Sequence, residues 1–388
     1  MKPPTRQLAA LPAYLYVVIC LLPCSMSAAE ASIGFTKSLF DGQSLAGWHV
    51  TECETVVDDG AILLKAGDGF VRTDHRYADF VLELEWKAVG KADSWDSGIY
   101  FRCELPVGKR HWPSRYQINL KTHQEGNLIG FKGATNRGLA KVKQWNRFRL
   151  TVIGKTAALE INGKPAWKVD GIQQRSGYIG LQSEVPLGGQ FKFRNIKITE
   201  LGYKSLFNGK DLTGWEGARA KAETCWTVSD GAIVCSGKSG TWLRSKQQHG
   251  DFNLRLDYKV SAGGNSGVFV RVPADGDHHG KDAGVEVQVL DDRHPKYARL
   301  KPYQYCGSVY AVAAAKKHVG RPAGEWNSLE INCKGHDYRV THNGVVIVDA
   351  KVGEFPQLKE RLTKGFLGLQ NHNTQVWYRN LRIGPAFP

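Results

Sequence analysis

The segment VEVQVLD, residues 285–291, brings a carboxylate and a carboxamide within reach of one ligand. An extended chain sends successive side chains to opposite faces. Val285, Val287 and Val289 then face a core, Glu286 and Gln288 share the other face, and Asp291 closes the run. A carboxylate beside an amide offers acceptors and donors together, which suits the hydroxyls of a sugar; an ordinary solvated strand face is the plainer alternative. Glu286, Asp291 and His372, the last in LQNHN, are titratable groups suited to acid–base work. Arg271, ending NSGVFVR, has the charge to polarise a carbonyl or stabilise an enolate, and equally to form a structural ion pair. Asn265, Gln288 and Tyr310 are candidate substrate ligands, and Trp377, with Trp112 and Trp242, offers an aromatic face for a sugar ring. His278 and His279 stand in the loop DGDHHGKD, as candidates to touch substrate or a cation. Glu286, Asp291 and His372 have donor types suited to a divalent cation. No metal signature accompanies them, so no cofactor is certain. Nucleophile elbows, H-E-x-x-H and phosphate-binding glycine loops are absent.

The elements that must carry these residues are strands. FVLELEW, YQINL, FRLTVI, VEVQVL and SLEIN alternate with period two. Asn162-Gly163 and Asn343-Gly344 each separate two alternating runs, a hairpin signal. Most of the chain is also written twice. SLFDGQSLAGW at 38–48 returns as SLFNGKDLTGW at 205–215, a period too long for a solenoid and right for a duplicated domain. DSGIYFR answers NSGVFVR, GYIGLQ answers GFLGLQ, and FRNIKI answers YRNLRI, in one order. Short antiparallel strands with glycine-rich turns predict an all-β protein, two β-sandwiches in tandem.

These motifs in this order resemble the 3-keto-disaccharide hydrolase domain family. The resemblance implies a concanavalin A-like jelly roll in each copy, and cleavage of glycosides carrying a ketone at sugar carbon 3. It also implies a Glu-x-Gln-x-x-Asp strand, matched by Glu286, Gln288 and Asp291. On that reading Glu286 or His372 removes the proton at carbon 2, and Arg271 or a metal ion faces the enolate. Asp291 or Tyr310 then protonates the departing oxygen. The first copy spells the strand RYQINL. Matching Gln117 to Gln288 puts Arg115 at the place of Glu286 and Leu120 at that of Asp291, and Glu184 stands at the place of His372. The loop with His278 and His279 finds no counterpart. The second copy is therefore expected to be the active one. A non-catalytic, lectin-like protein of the cell envelope is the alternative.

Residues 1–29 read as a secretory signal: Lys2 and Arg6, an apolar run from Leu11 to Pro23, then Ser27-Ala28-Ala29. The domains expected after it are 30–201 and 202–388. The protein is then periplasmic or secreted and does not span a membrane. Six cysteines remain, and an oxidising compartment permits Cys225–Cys235 and Cys306–Cys333 bridges, with buried free thiols as the alternative. Net charge is +15, or +13 once Lys2 and Arg6 leave. Such a surface favours acidic polysaccharide or envelope, while export argues against nucleic acid. Oligomeric state is not legible.

Overall fold

A computed structural model describes Met1, residues 34–90 and residues 93–387. The expected signal segment lies outside the described residues. Among the described residues no helix is long and apolar enough to cross a membrane.

The alternating runs form antiparallel strands, arranged as four sheets in two sandwiches. The larger sheet of the second half runs Trp226–Ser229, Ala232–Ser236, Gln375–Gly384, Phe252–Val260, Asn327–Lys334, Asp337–His342 and Val345–Ala350, with Lys204–Ser205 also paired to Gln375–Gly384. The smaller sheet runs Trp215–Gly217, Leu243–His249, Gly365–Leu369, Asn265–Val272 and Val285–Leu290. The first half repeats both orders strand for strand, ending its smaller sheet on Gly98–Cys103 and Gln117–Asn119. Each sandwich closes on its own core. In the second, Leu254, Leu256, Leu329 and Ile331 of one sheet pack with Val268, Val270, Val285 and Val287 of the other. Burying side chains of this size contributes roughly 1.5–3 kcal/mol each.

The repeated opening phrase has a physical cause. Trp48 donates its indole N–H to the carbonyl of Leu39 at 2.7 Å, and Trp215 donates to Leu206 at the same distance. Asp41 and Asn208 each accept backbone N–H groups two and three residues on, a turn that asparagine and aspartate favour. The two Asn-Gly pairs make the expected tight hairpins, with φ of 52° and 80° at Asn162-Gly163 and 45° and 74° at Asn343-Gly344.

The halves are joined through buried charge. Glu200, from the last long strand of the first half, accepts from Arg255 and Arg382 of the second, both at 2.6 Å. Arg255 also meets Glu330 at 2.9 Å. His49 pairs with Asp74 at 2.7 Å and touches the carbonyl of Asn343. Ser328 donates to Asp74 at 3.1 Å. Gly344 lies so close to Asp74 that a β-carbon there would fall 2.7 Å from the Asp74 carbonyl.

The described cysteines are all free. The two suggested bridges are not formed: Cys225 reaches the carbonyl of Thr241, and Cys306 sits 3.1 Å from the Tyr258 hydroxyl.

Candidate active site

Val285–Leu290 is the last strand of its sheet, and alternation places its valines in the core. Its other face is not solvated. Glu286 and Gln288 are 3% and 5% exposed. The segment after Cys306 folds back over this edge. Gly307 N–H donates to the Gln288 carbonyl at 2.8 Å and Tyr310 N–H to that of Glu286 at 2.9 Å, so no open edge is left.

A cleft of about 310 Å³ stands over the strand. Asn265, Glu286 and Gln288 form its floor, His278 and His279 one wall, and Gln370 and His372 another. Tyr297, Leu300 and Gln304, from the segment between Asp291 and Cys306, close the remaining side with Tyr310. Gln288 donates to Asn265 at 2.9 Å, which fixes both amides. Gln304 donates to the Tyr310 oxygen at 3.0 Å, leaving the phenol free to donate its own proton.

The floor carries one charged pair. His278 Nε2 is 3.1 Å from Glu286 Oε2, and its Nδ1 is 3.2 Å from the carbonyl of Gly276. Burial pulls the imidazole pKa down, but the hydrogen bond and charge of Glu286 outweigh it and hold the value above the ordinary one. His278 thus holds its proton more tightly than a free imidazole does. The ring stacks on Phe269 at 4.8 Å. Burial and the neighbouring charge of His278 lower the pKa of His279. A second cleft, of about 330 Å³, shares His278 and Gln370 with the first and is lined beyond them by Trp242, Phe269 and Arg219.

Of the residues singled out by sequence, the cleft brings together Glu286, Gln288, Asn265, Tyr310, His372, His278 and His279. It does not include Arg271, Asp291 or Trp377, nor Trp112 and Trp242, which line other clefts. Arg271 has φ of 56° at an irregularity in the pairing with Gly365–Leu369, which turns its side chain inward. Fully buried, it donates to the carbonyls of Gly250 and Gly335 and to Asp251. Arg102 is buried in the matching way, against Ala78, Gly154 and Asp79. Asp291 points away from the cleft and accepts the N–H of Gly263 at 2.8 Å, holding a turn. Trp377 belongs to the larger sheet, where Lys259 lies over its ring. With Asp291 so engaged, Glu286, Asp291 and His372 do not form a metal ligand set. Among the described residues no group of three or more His, Cys, Asp or Glu side chains is placed to hold a metal ion.

Pairing register corrects the match between the copies. Gly98 pairs with Asn119 and Tyr100 with Gln117, as Gly267 pairs with Gln288 and Phe269 with Glu286. Ile129 N–H donates to the Gln117 carbonyl just as Tyr310 N–H does to Glu286. Gln117 therefore holds the place of Glu286, Asn119 that of Gln288, and Ile129 that of Tyr310. The loop between the two strands is equally long in both copies, so Lys109 and Arg110 stand where His278 and His279 do. The turn from Gln288 to Gly307 is much longer than that from Asn119 to Gly126, and the excess carries Tyr297, Leu300 and Gln304. Sequence reasoning missed these three residues. Their signal was a stretch, HPKYARLKPYQY, without a partner in the first copy.

Comparison with known proteins agrees with the duplication. The family model of the 3-keto-alpha-glucoside-1,2-lyase-like domain matches residues 35–199 and again residues 202–384. A 3-keto-disaccharide hydrolase of Bacteroides thetaiotaomicron is 28% identical over 229 residues, 47% of this chain and 78% of that protein. Two solved structures of candidate glycosyl hydrolases from Parabacteroides distasonis are 27% and 28% identical. They cover 48% and 47% of this chain, and 94% and 98% of their own, with TM-scores of 0.43 and 0.42. With both halves matched over nearly their full length, the chain belongs to the family of 3-keto-alpha-glucoside-1,2-lyase-like domains and carries that domain twice.

Proposed function

We propose that the second half cleaves 3-keto-glycosides by elimination followed by hydration, in a protein exported from the cell. The observation that carries this reading is the His278–Glu286 pair at 3.1 Å, its carboxylate buried at the floor of a cleft and its imidazole partly open to it. A ketone at carbon 3 acidifies the hydrogen on carbon 2. Carboxylate and imidazolium side by side match those two adjacent centres. Glu286 takes the proton from carbon 2, and the positive His278 stabilises the charge that moves onto the carbon 3 oxygen. The enolate collapses to a carbon 1–carbon 2 double bond and expels the glycosidic oxygen, which Tyr310 protonates. Water then adds across that double bond: its oxygen bonds to carbon 1 as His372 accepts its proton, Glu286 returns its proton to carbon 2, and the proton on His372 restores the Tyr310 phenol, giving the free 3-keto sugar. Two clefts meeting at His278 and Gln370 give room for a sugar on each side of the broken bond.

The test is release of aglycone from paired native and 3-keto glucosides by the mature protein, with and without EDTA. Release from the keto form alone, lost in Glu286→Gln and reduced in His372→Ala, is the expected result. Full activity in both variants would remove these roles. Sugar binding without release from either form would favour a lectin-like protein.

A further inference from the structure

The first half keeps a cleft over the register equivalent of Glu286, and its chemistry differs. It has a volume of about 360 Å³ and is lined by Tyr100, Arg110, His111, Trp112, Pro113, Ser114 and Gln117. Each group assigned above to bond breaking is replaced. Gln117, a carboxamide, cannot act as a base, and Lys109 and Ile129 stand for His278 and Tyr310. Glu184 holds the place of His372.

What remains suits recognition. Gln117 is locked in one orientation: Tyr100 donates to its Oε1 at 3.0 Å, and its Nε2 donates to Gln182 at 2.7 Å. Gln182 in turn donates to Glu184 at 2.8 Å. A fixed chain of amides and a carboxylate is the kind of surface that reads sugar hydroxyls. Beside it, the half-buried Trp112 packs on Phe70 and Tyr100, which holds an aromatic face steady at the cleft. The rim is basic. Lys109, Arg110, His111 and Arg115 lie within seven residues, and all four are exposed. His111 is answered by Glu52 at 2.9 Å. Among the described residues no carboxylate forms an ion pair with Lys109, Arg110 or Arg115. In the second half the same loop reads DGDHHGKD, with acids interleaved.

We propose that the cleft of the first half is a non-catalytic binding site for an anionic pyranose, its ring on Trp112, its hydroxyls on Gln117, which Gln182 holds in place, and its carboxylate or sulfate on Arg110. The site is distinct from the second cleft, and the proposal holds whether or not that cleft turns over 3-keto sugars.

Calorimetry on the full mature chain carrying Glu286→Gln, which removes the base of the second cleft and so stops turnover there, tests it. Methyl glucuronide, glucose 6-sulfate and neutral methyl glucoside are the probes. A site that depends on Arg110 and Trp112 is expected, with at least one anionic probe bound there at least tenfold more tightly than methyl glucoside. The two anionic probes separate carboxylate from sulfate recognition. Arg110→Ala, at an exposed position that does not threaten folding, should abolish the preference for the anion. Trp112→Ala should weaken all binding at least tenfold, with Trp112→Phe restoring most of it. Equal affinity for charged and neutral probes would overturn the proposal. So would unchanged binding in both the Arg110 and Trp112 variants, or no binding of either anion.

Discussion

Gly267 lies directly beneath the carboxylate of Glu286. A β-carbon built on that glycine would fall 2.0 Å from Oε1 and 2.8 Å from Cγ, so the whole acidic side chain would have to move. Gly98 has the same relation to Gln117, at 2.5 Å from Nε2. Gly267→Ala should therefore lower kcat by about 10- to 100-fold while the sandwich persists, since about an ångström of misplacement suffices for that loss. Steady-state kinetics beside circular dichroism checks it; an unimpaired variant would show that the position of Glu286 is not critical.

Arg271→Ala should destabilise the second half. It strands the carbonyls of Gly250 and Gly335 and leaves Asp251 unpaired. Because Asp251 is half exposed, the expected cost is about 2–3 kcal/mol rather than that of a fully buried pair. Denaturant unfolding measures it. At temperatures where the variant is folded, KM should be unchanged, which a substrate-binding arginine would not allow.

The pair at the cleft floor sets a pH dependence. The pKa of His278 is raised in the folded protein, so its stabilising charge is fully present below the unfolded value of about 6.5. That contribution is lost as pH rises through the raised value, and the rate of cleavage should fall over the same window. Glu286→Gln removes the hydrogen bond to a carboxylate and its charge, so the His278 midpoint should move to lower pH. NMR titration of the His278 Cε1 proton in the two proteins reads the shift directly; an unmoved midpoint would dissolve the pair.

The joint between the halves should be acid-labile. Burial pushes the pKa values of Asp74 and Glu330 up, but His49 and His75 beside Asp74, and Arg255 beside Glu330, bring both down to about 2. Their pKa values are depressed on folding, so their stabilisation is present above about 4, the unfolded value, and fades as pH falls from there toward 2. Thermal unfolding followed from pH 6 to pH 2.5 should show the melting temperature falling mainly below pH 4, with Glu330→Gln already destabilised at pH 6. A flat profile would mean these charges contribute nothing to the joint.

Much of this architecture was legible in the letters. Alternation marked the strands, Asn-Gly marked two hairpins, and the repeated tryptophan phrase marked the start of each sandwich. Each of these is a local pattern with a local cause. Register was not legible, because identical letters invited a match of Gln117 to Gln288. Backbone pairing, which identity does not report, aligns it instead with Glu286. The fate of Arg271 was hidden for a related reason. A positive φ reverses the direction of one side chain, and alternation then predicts the wrong face. Glu286 and His278 lie only eight residues apart, yet their contact depends on how the intervening loop folds back.

The shared ion network has a consequence for dissection of the molecule. Glu200 lies at the end of one copy, and the two guanidiniums it neutralises lie in the other. A chain begun at Gly202 would leave Arg255 with Glu330 alone and take from Arg382 its paired carboxylate. A cut at the boundary between the copies would therefore run through a charge network that both of them share.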